Sequence, residues 1–370
     1  MFKFFIPTKV LVGENVVREN AEALLLGKRA LVVTGKTSGE KSGALGDVLS
    51  VLEANHIPAK VFNQIENNPT LETTVEGGRI AREFGADFII GIGGGSPLDA
   101  AKAIAVFAKN EPIPGSGFEM QDIMKGSFPN EPLPMAAVPT TAGTGSETTP
   151  YSILTLHSIK NKQSFSSEKV FYKVAFLDGR YMKNLPLQVL RNTVVDAISH
   201  LLEGYTNTKA SPSTDYIALE GLRIIGEKLP LLTTGNGTAE DCTALLWAAT
   251  LGGIVITHTA TTIVHSMGYP ITYYKDIPHG MANGLLLGEY LARTNCTLPE
   301  KVSRALSALG FQDCEAFSAF LHSILPCDVA FSEDELKAWS ETAIKAKNVA
   351  TCPFPVTREA EEAIYRSCLL

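Results

Sequence analysis

The stretch that most restricts the fold is Asp87-Phe88-Ile89-Ile90-Gly91-Ile92, followed at once by Gly93-Gly94-Gly95-Ser96-Pro97-Leu98-Asp99. Its apolar residues do not alternate with polar ones, so both faces of the strand are expected to be buried, as in a parallel sheet. Ala100 to Lys109 continues as a helix. Consecutive glycines between strand and helix let the backbone approach a ligand, and a helix start aims free N–H groups at it. The turn therefore reads as an anion cradle suited to a pyrophosphate. It is not the G-x-G-x-x-G fingerprint, and no G-K-[S/T] closes it as a P-loop.

Similar units surround it. Ala30 to Val33 reads as a strand that meets the loop Thr34-Gly35-Lys36-Thr37-Ser38-Gly39. Gly43 to Ala54 has helical spacing, with Leu45, Val48, Leu49 and Leu52 on one side. Ala59 to Phe62 is a second strand, and Asn67-Asn68-Pro69-Thr70 caps a helix over Leu71 to Phe84. This rhythm predicts a parallel, Rossmann-like α/β sheet with right-handed crossovers. Pro112 to Pro134 reads as a loop, and Met135 to Pro139 as a strand. That strand opens onto the hydroxyl-rich Thr140-Thr141-Ala142-Gly143-Thr144-Gly145-Ser146-Glu147-Thr148-Thr149, a second loop with small donors at the same sheet edge. Val174 to Asp178 is the last expected strand, and Pro186 marks a boundary.

Beyond Pro186 helical periodicity takes over. Helices are expected over Val189–Tyr205, Ser213–Leu229, Ala239–Ile256, Glu289–Thr294, Glu315–Leu325, Glu333–Ala346 and Arg358–Ser367, with no strand. A chain of 370 residues is long for one core, so two domains are expected. They are residues 1–185, nucleotide-binding and α/β, and residues 186–370, all-helical, with a hinge at Leu185–Leu190.

The net charge of −7 offers no footprint for nucleic acid or an anionic membrane surface. No unbroken apolar run is read as a bilayer span, and Met1 to Val12 lacks the apolar core of a signal peptide. All six cysteines lie beyond residue 240 without C-x-x-C spacing, so buried thiols and a reducing cytoplasm are expected.

The helical half holds the candidate chemistry. His258, His265 and His279 fall between Leu251 and Tyr290. Upstream, Asp196 and His200 stand four residues apart and share one helix face. Three imidazoles and a carboxylate, here Asp196, His200, His265 and His279, suit Fe²⁺ or Zn²⁺ and not the oxygen-seeking Ca²⁺ or Mg²⁺. His258, seven residues before His265, is expected to support the site from behind the ligands. His56, His157 and His322 read as surface residues.

Four segments together resemble the iron-containing, or group III, alcohol dehydrogenase family. They are G-G-G-S-P-x-D-x-A-K (Gly93 to Lys102), P-T-T-A-G-T-G-S-E (Pro139 to Glu147), D-A-x-x-H-x-x-E (Asp196 to Glu203), and H-x-x-x-x-P with P-H-G-x-x-N (His265 to Asn283). They occur in the family's order over nearly the whole chain. The resemblance implies a dehydroquinate synthase-like fold, with metal and nicotinamide between an α/β and a helical domain. It implies NAD(P)-linked interconversion of alcohols and aldehydes or ketones, and a homodimer or higher oligomer. It makes Asp196, His200, His265 and His279 the metal ligands. It places Asn68, Gly94, Gly95, Ser96, Asp99, Thr140, Thr141, Thr144, Ser146 and Lys162 around the cofactor.

Two departures from the family pattern stand out. Tyr269 occupies a position where many members carry a histidine beside the nicotinamide. A phenol is a poorer proton shuttle at neutral pH, so Tyr269 is expected as a relay or substrate contact. Gly35 stands where similar NAD-preferring members carry an aspartate that would repel a 2′-phosphate. With Lys36, Thr37, Ser38 and Ser42 nearby, NADP(H) is expected over NAD(H). Tyr151, Phe165, Tyr269, Tyr273 and Tyr274 are expected to form an apolar pocket for a medium-length alcohol. The rival readings are a zinc glycerol or polyol dehydrogenase of the same fold, a dehydroquinate synthase-like lyase and a non-catalytic nucleotide-binding module. A lyase with a phosphorylated acidic substrate would need more basic residues than Lys275 between Leu251 and Tyr290.

Overall fold

The computed structural model describes residues 2–370 apart from 113, 114 and 116, so part of the expected Pro112–Pro134 loop, and Met1, lie outside the described residues. Its strands are β1 (Lys9–Val12), β2 (Ala30–Gly35), β3 (Ala59–Ile65), β4 (Phe88–Gly93), β5 (Met135–Pro139), β6 (Tyr151–Leu156), β7 (Asn161–Ser166) and β8 (Val174–Leu177). A six-stranded sheet runs in the order β1-β8-β5-β4-β2-β3, with every pairing parallel. β2, β4, β5 and β8 are buried at every residue. Alternate side chains enter separate cores: Leu31, Val33 and Ile89 on one face, Ala30, Val32, Phe88 and Ile90 on the other. That two-sided burial is why these strands carry no polar alternation.

The chain leaves β2 toward β3 and leaves β4 the opposite way toward β5, so a topological switch point lies between β2 and β4. Crevices at such points are where open α/β sheets bind ligands. The loops after β2, β4 and β5 all emerge at this carboxyl edge. The helix after β4 opens at Gly95 and runs to Lys109, a turn earlier than the expected Ala100.

Two parts of the sheet region had no counterpart in the sequence pattern. β1 is a short, half-exposed edge strand. β6 and β7 form an antiparallel hairpin between β5 and β8. Only Phe165 of β7 is fully buried, so no hydrophobic alternation marks the strand. The hairpin docks on the Asn68–Thr70 turn, with Thr155 N–H donating to Pro69 O at 2.8 Å and Thr155 Oγ1 to Asn68 O at 3.0 Å. A short helix, Met120–Met124, also lies within the expected loop.

From Leu187 to the C-terminus every regular element is a helix. Ile263–Lys275 is a helix despite Pro270, and His279–Thr297 starts ten residues before the expected Glu289. Gly280, Gly284 and Gly288 make that first stretch read as a loop. They are contact positions: a Cβ on Gly280 would lie 1.8 Å from Asn192 O, and one on Gly284 2.4 Å from Leu325. Pro299–Leu309 is a further helix that the pattern did not reveal. Ala239–Thr259 is long and apolar enough to cross a membrane, with mean hydropathy 1.4, but 67% of that window is buried. It packs on Leu187–Thr206 and Pro212–Lys228 as a core helix.

Helix Ala239–Thr259 also carries the contact with the loop after β5. Thr250 Oγ1 donates to Glu147 Oε1 at 2.6 Å, and Thr257 Oγ1 to Thr148 O at 3.1 Å. Gly145 and Gly253 meet backbone to backbone, where a Cβ on Gly253 would lie 2.3 Å from Gly145 O.

Candidate active site

Three helices bring the candidate ligands together. Leu187–Thr206 presents Asp196, His200 and Glu203 one turn apart on one buried face. Ile263–Lys275 carries His265 in its first turn, and His279–Thr297 begins with His279 and carries Asn283 a turn later. One ligand atom each of Asp196, His265 and His279 lies within 4.8 Å of the others. His265 Nε2 is 3.8 Å and His279 Nε2 3.7 Å from Asp196 Oδ1. His200 joins them, its Nε2 being 2.9 Å from His265 Nε2.

The Asn283 amide nitrogen faces this cluster. It donates to Asp196 Oδ1 at 3.0 Å and lies 3.2 and 3.3 Å from His265 Nε2 and His279 Nε2. Three acceptor atoms thus converge on the space beside one N–H donor. Glu203 Oε2 accepts the Nδ1–H of His265, while its Oε1 accepts from Thr262 N at 2.7 Å and Thr262 Oγ1 at 2.6 Å. This tautomer leaves the His265 Nε2 lone pair pointing at the cluster.

For His200, His279 and Asp196 the electrostatics favour ligand-ready forms. Burial pushes His200 and His279 down, toward neutral imidazoles. Burial would raise Asp196, but the three imidazoles and Asn283 outweigh it and keep the carboxyl below its usual range. At His265 burial is outweighed by Glu203, which raises its pKa. Three imidazoles and one carboxylate, all buried except the partly exposed His279, fit a borderline divalent cation such as Fe²⁺ or Zn²⁺.

A cleft of ≈ 380 Å³ runs from this cluster to the sheet edge. Asp196, Tyr269 and His279 line one end, and Gly95, Ser96, Asp99 and Thr144 the other, with Asn68 and Lys162 between. The two loops at the sheet edge touch. A Cβ on Gly94 would lie 2.8 Å from Thr141 Oγ1, and one on Gly95 2.5 Å from Thr144 Cγ2. The glycines therefore admit the threonines and expose the backbone N–H groups of the helix start. Thr140 is buried, with its N–H donating to Gly93 O at 3.0 Å. Ser146 faces inward, donating to Asp99 Oδ1 at 2.5 Å and accepting from the fully buried Lys102 at 2.8 Å.

The model of the family described as "Iron-containing alcohol dehydrogenase" matches residues 7–179, and that of "Fe-containing alcohol dehydrogenase family, C-terminal" matches residues 191–369. The chain belongs to the iron-containing alcohol dehydrogenase family. It is 31% identical to the 1,3-propanediol dehydrogenase of Citrobacter freundii, over 99% of this chain and 98% of the relative. It is 28% identical to the NADPH-dependent butanol dehydrogenase of Clostridium saccharobutylicum, over 88% of this chain and 83% of the relative. The crystal structure of an iron-containing alcohol dehydrogenase from Thermotoga maritima superposes with a TM-score of 0.91 at 37% identity, covering 100% of this chain and 99% of that one.

Within this member of the family, several expected site residues lie elsewhere. His258 is remote from the ligand cluster: its Nε2 accepts from Phe5 N at 3.0 Å, its Nδ1 lies 2.7 Å from Ile254 O, and its ring stacks on Phe4. The aromatic pocket does not form. Phe165 is buried in the core, Tyr151 bonds Ile256 O, and the half-exposed Tyr274 stacks on Trp339. Only Tyr269 of that group lines the cleft, its ring stacked 5.5 Å from that of His279. Gly35 ends β2, and Lys36 and Ser38 are exposed beyond it, outside the cleft lining. The six cysteines are free, but only Cys242 and Cys352 are buried.

Glu203 and Asn283 were quoted in the sequence motifs without being given a place at the site. A signal was present: Glu203 lies seven residues after Asp196, and Asn283 four after His279, on the same helix faces.

Proposed function

We propose that this chain interconverts a short alcohol and its aldehyde or ketone with NADP(H), using Fe²⁺ held by Asp196, His200, His265 and His279. The observation that carries the reading is the single cleft joining these donors to the glycine-rich helix start at Gly95 and Ser96. The names of the 1,3-propanediol and butanol dehydrogenase relatives favour alcohol oxidoreduction over lyase chemistry.

Bound, the metal would supply a Lewis acid at the substrate oxygen and the nicotinamide a hydride acceptor. The protein's part is orientation. Gly95 and Ser96 offer N–H groups to a pyrophosphate, and Thr144 walls the same anion site. Glu203 and Asn283 fix the imidazole and carboxylate donors. Tyr269 packs flat against His279 and borders the space left for substrate.

Two features support the NADP(H) preference. Gly35 puts no carboxylate at the end of β2, and Ser38 Oγ occupies the space beside it, 2.7 Å from where a Cβ would stand. The Clostridium relative is named as NADPH-dependent. A homodimer is the proposed assembly: the outer side of β1 is a sheet edge, and Phe2, Phe4, Phe5 and Val12 beside it are exposed. Free thiols among the described residues support a reducing cytoplasm. Residues 1–185 and 186–370 are proposed as the nucleotide-binding and metal-binding units.

The test is metal analysis of anaerobically purified protein, with an alcohol panel followed by nicotinamide absorbance. One iron per chain and alcohol-dependent reduction of NADP⁺ are expected. No turnover with any alcohol, or full activity after complete metal removal, would sink the reading. Light scattering reads the oligomer.

A further inference from the structure

Oxidising an alcohol to a carbonyl breaks a C–H and an O–H bond. The C–H electron pair and its hydrogen leave as hydride to the nicotinamide co-substrate, and the O–H proton needs an acceptor. We propose that Lys162 Nζ exchanges this proton, taking it from the hydroxyl in oxidation and returning it to the carbonyl oxygen in reduction. The inference rests on the reading of the cleft as an alcohol dehydrogenase site.

The ionisable side chains lining the cleft are Asp99, Lys162, Asp196, Tyr269, Asp276 and His279. Asp196 and His279 belong to the metal set. Asp99 is occupied: Oδ1 accepts from Ser146 at 2.5 Å, Oδ2 from Ile153 N at 3.1 Å, and Lys102 Nζ lies 3.6 Å away. Asp276 is exposed at the end of Ile263–Lys275. Burial, with Asp196 and Asp99 nearby, pushes the Tyr269 phenol far up. Lys162 remains.

Its setting suits the task. Nζ donates to the neutral Asn68 Oδ1 at 2.6 Å and stands 5.9 Å from the Tyr269 ring centre. Burial lowers its pKa to about 8 against the opposing pull of Asp196 and Asp99, so amine and ammonium are both populated near neutrality. The groups facing it are Asp99 on Gly95–Lys109, Asp196 on Leu187–Thr206, His265 and Tyr269 on Ile263–Lys275 and His279 on His279–Thr297.

Asn68 is built to hold this lysine. Its φ is +59°, a left-handed conformation uncommon outside glycine. Its N–H donates to Ser96 Oγ at 3.1 Å, and its carbonyl accepts from Thr155 Oγ1 at 3.0 Å. Thr155 pairs with Lys162 across the β6–β7 hairpin. One asparagine therefore ties the lysine to the first turn of the cofactor helix.

The sign of the pH dependence follows. Oxidation needs the free amine, so kcat/KM for alcohol should rise through pH about 8. Reduction needs the ammonium, so kcat/KM for aldehyde should fall through the same range. K162M should lose both limbs and roughly 10²–10⁴-fold in kcat, the usual worth of a general acid–base, over and above any change in the cofactor KM. K162R should keep the fold but move the limb out of range, and K162Q serves if K162M misfolds. Competitive acetylation across pH, read by mass spectrometry on the purified protein, reports the amine directly. A midpoint near 8 is expected, and one near the ordinary 10.5 overturns the proposal. A K162M enzyme that keeps both limbs and only binds cofactor more weakly also overturns it, making Lys162 a cofactor anchor. No alcohol turnover by the wild-type chain would defeat the underlying reading as well, so the two failures are distinct.

Discussion

The carboxylate of Glu203 accepts the Nδ1–H of His265, and both side chains are shut off from solvent. The pair lies on two different helices, 62 residues apart. Glu203 is also fixed by both donors of Thr262, the residue that begins the helix carrying His265. One carboxylate therefore sets both the position of that helix and the tautomer of its candidate metal ligand.

Replacing it should loosen the metal without emptying the site. E203Q keeps the shape but loses the charge that raises His265, and outer partners of ligating histidines typically contribute 10–100-fold in metal affinity. Retention of iron against a graded series of chelators measures this. Wild-type retention would show that Glu203 serves only the helix start.

Glu361 makes a contrasting case. It is fully buried, and neither carboxylate oxygen has a hydrogen-bond partner. Burial pushes its pKa from 4.5 up to about 8. The folded chain thus holds a proton that the unfolded chain releases, and stability should fall as pH rises between about 4.5 and 8. Each unit is worth about 1.4 kcal/mol, so the total is several kcal/mol at most. E361Q should melt higher than wild type at pH 8 and show a flatter Tm profile. Equal slopes in the two proteins would count against it.

Cofactor choice can be tested at one position. G35D adds a carboxylate at the end of β2, and its Cβ displaces only the hydroxyl of Ser38, the far end of a short side chain. The ratio of kcat/KM for NADP⁺ to that for NAD⁺ should drop by about tenfold or more, since the carboxylate repels a 2′-phosphate and accepts from a ribose hydroxyl. An unchanged ratio would place the 2′ group elsewhere.

The backbone contact of Gly145 and Gly253 predicts a sharp difference between two glycine substitutions. In G253A the new methyl would lie 2.3 Å from Gly145 O, and backbone must give way. Overpacking of this kind costs about 1–3 kcal/mol, which urea denaturation would read as a lower midpoint. In G46A, within the helix Ala44–Ala54, the methyl meets nothing within 4 Å. That change should stabilise by up to about 1 kcal/mol through helix propensity.

The candidate ligand quartet was legible in the chain because two of its members share a helix at four-residue spacing, and Pro278-His279-Gly280 marks a helix start. His258 shows the limit of that logic. Its seven-residue spacing to His265 places them on one face only if a single helix continues. The helix ends at Thr259, Ala260 turns with φ +62°, and a new helix begins at Ile263. The expected aromatic pocket failed for a related reason. Residue type predicts that a ring is buried, but not which cavity it borders.

Residue identity and local spacing alone marked out the parallel sheet, the glycine-rich turn after β4 and the four candidate metal donors. Each is a periodic or contiguous pattern, in which burial of one face leaves its mark on neighbouring residues. Only the tertiary structure decided that Glu203 orients His265, that Asn283 faces three ligand atoms, and that Asn68 holds Lys162 in the cleft. These hydrogen bonds join residues 62, 87 and 94 positions apart. Such pairings depend on how whole helices and a hairpin pack, and a polar side chain carries no periodic signal of the partner it will meet.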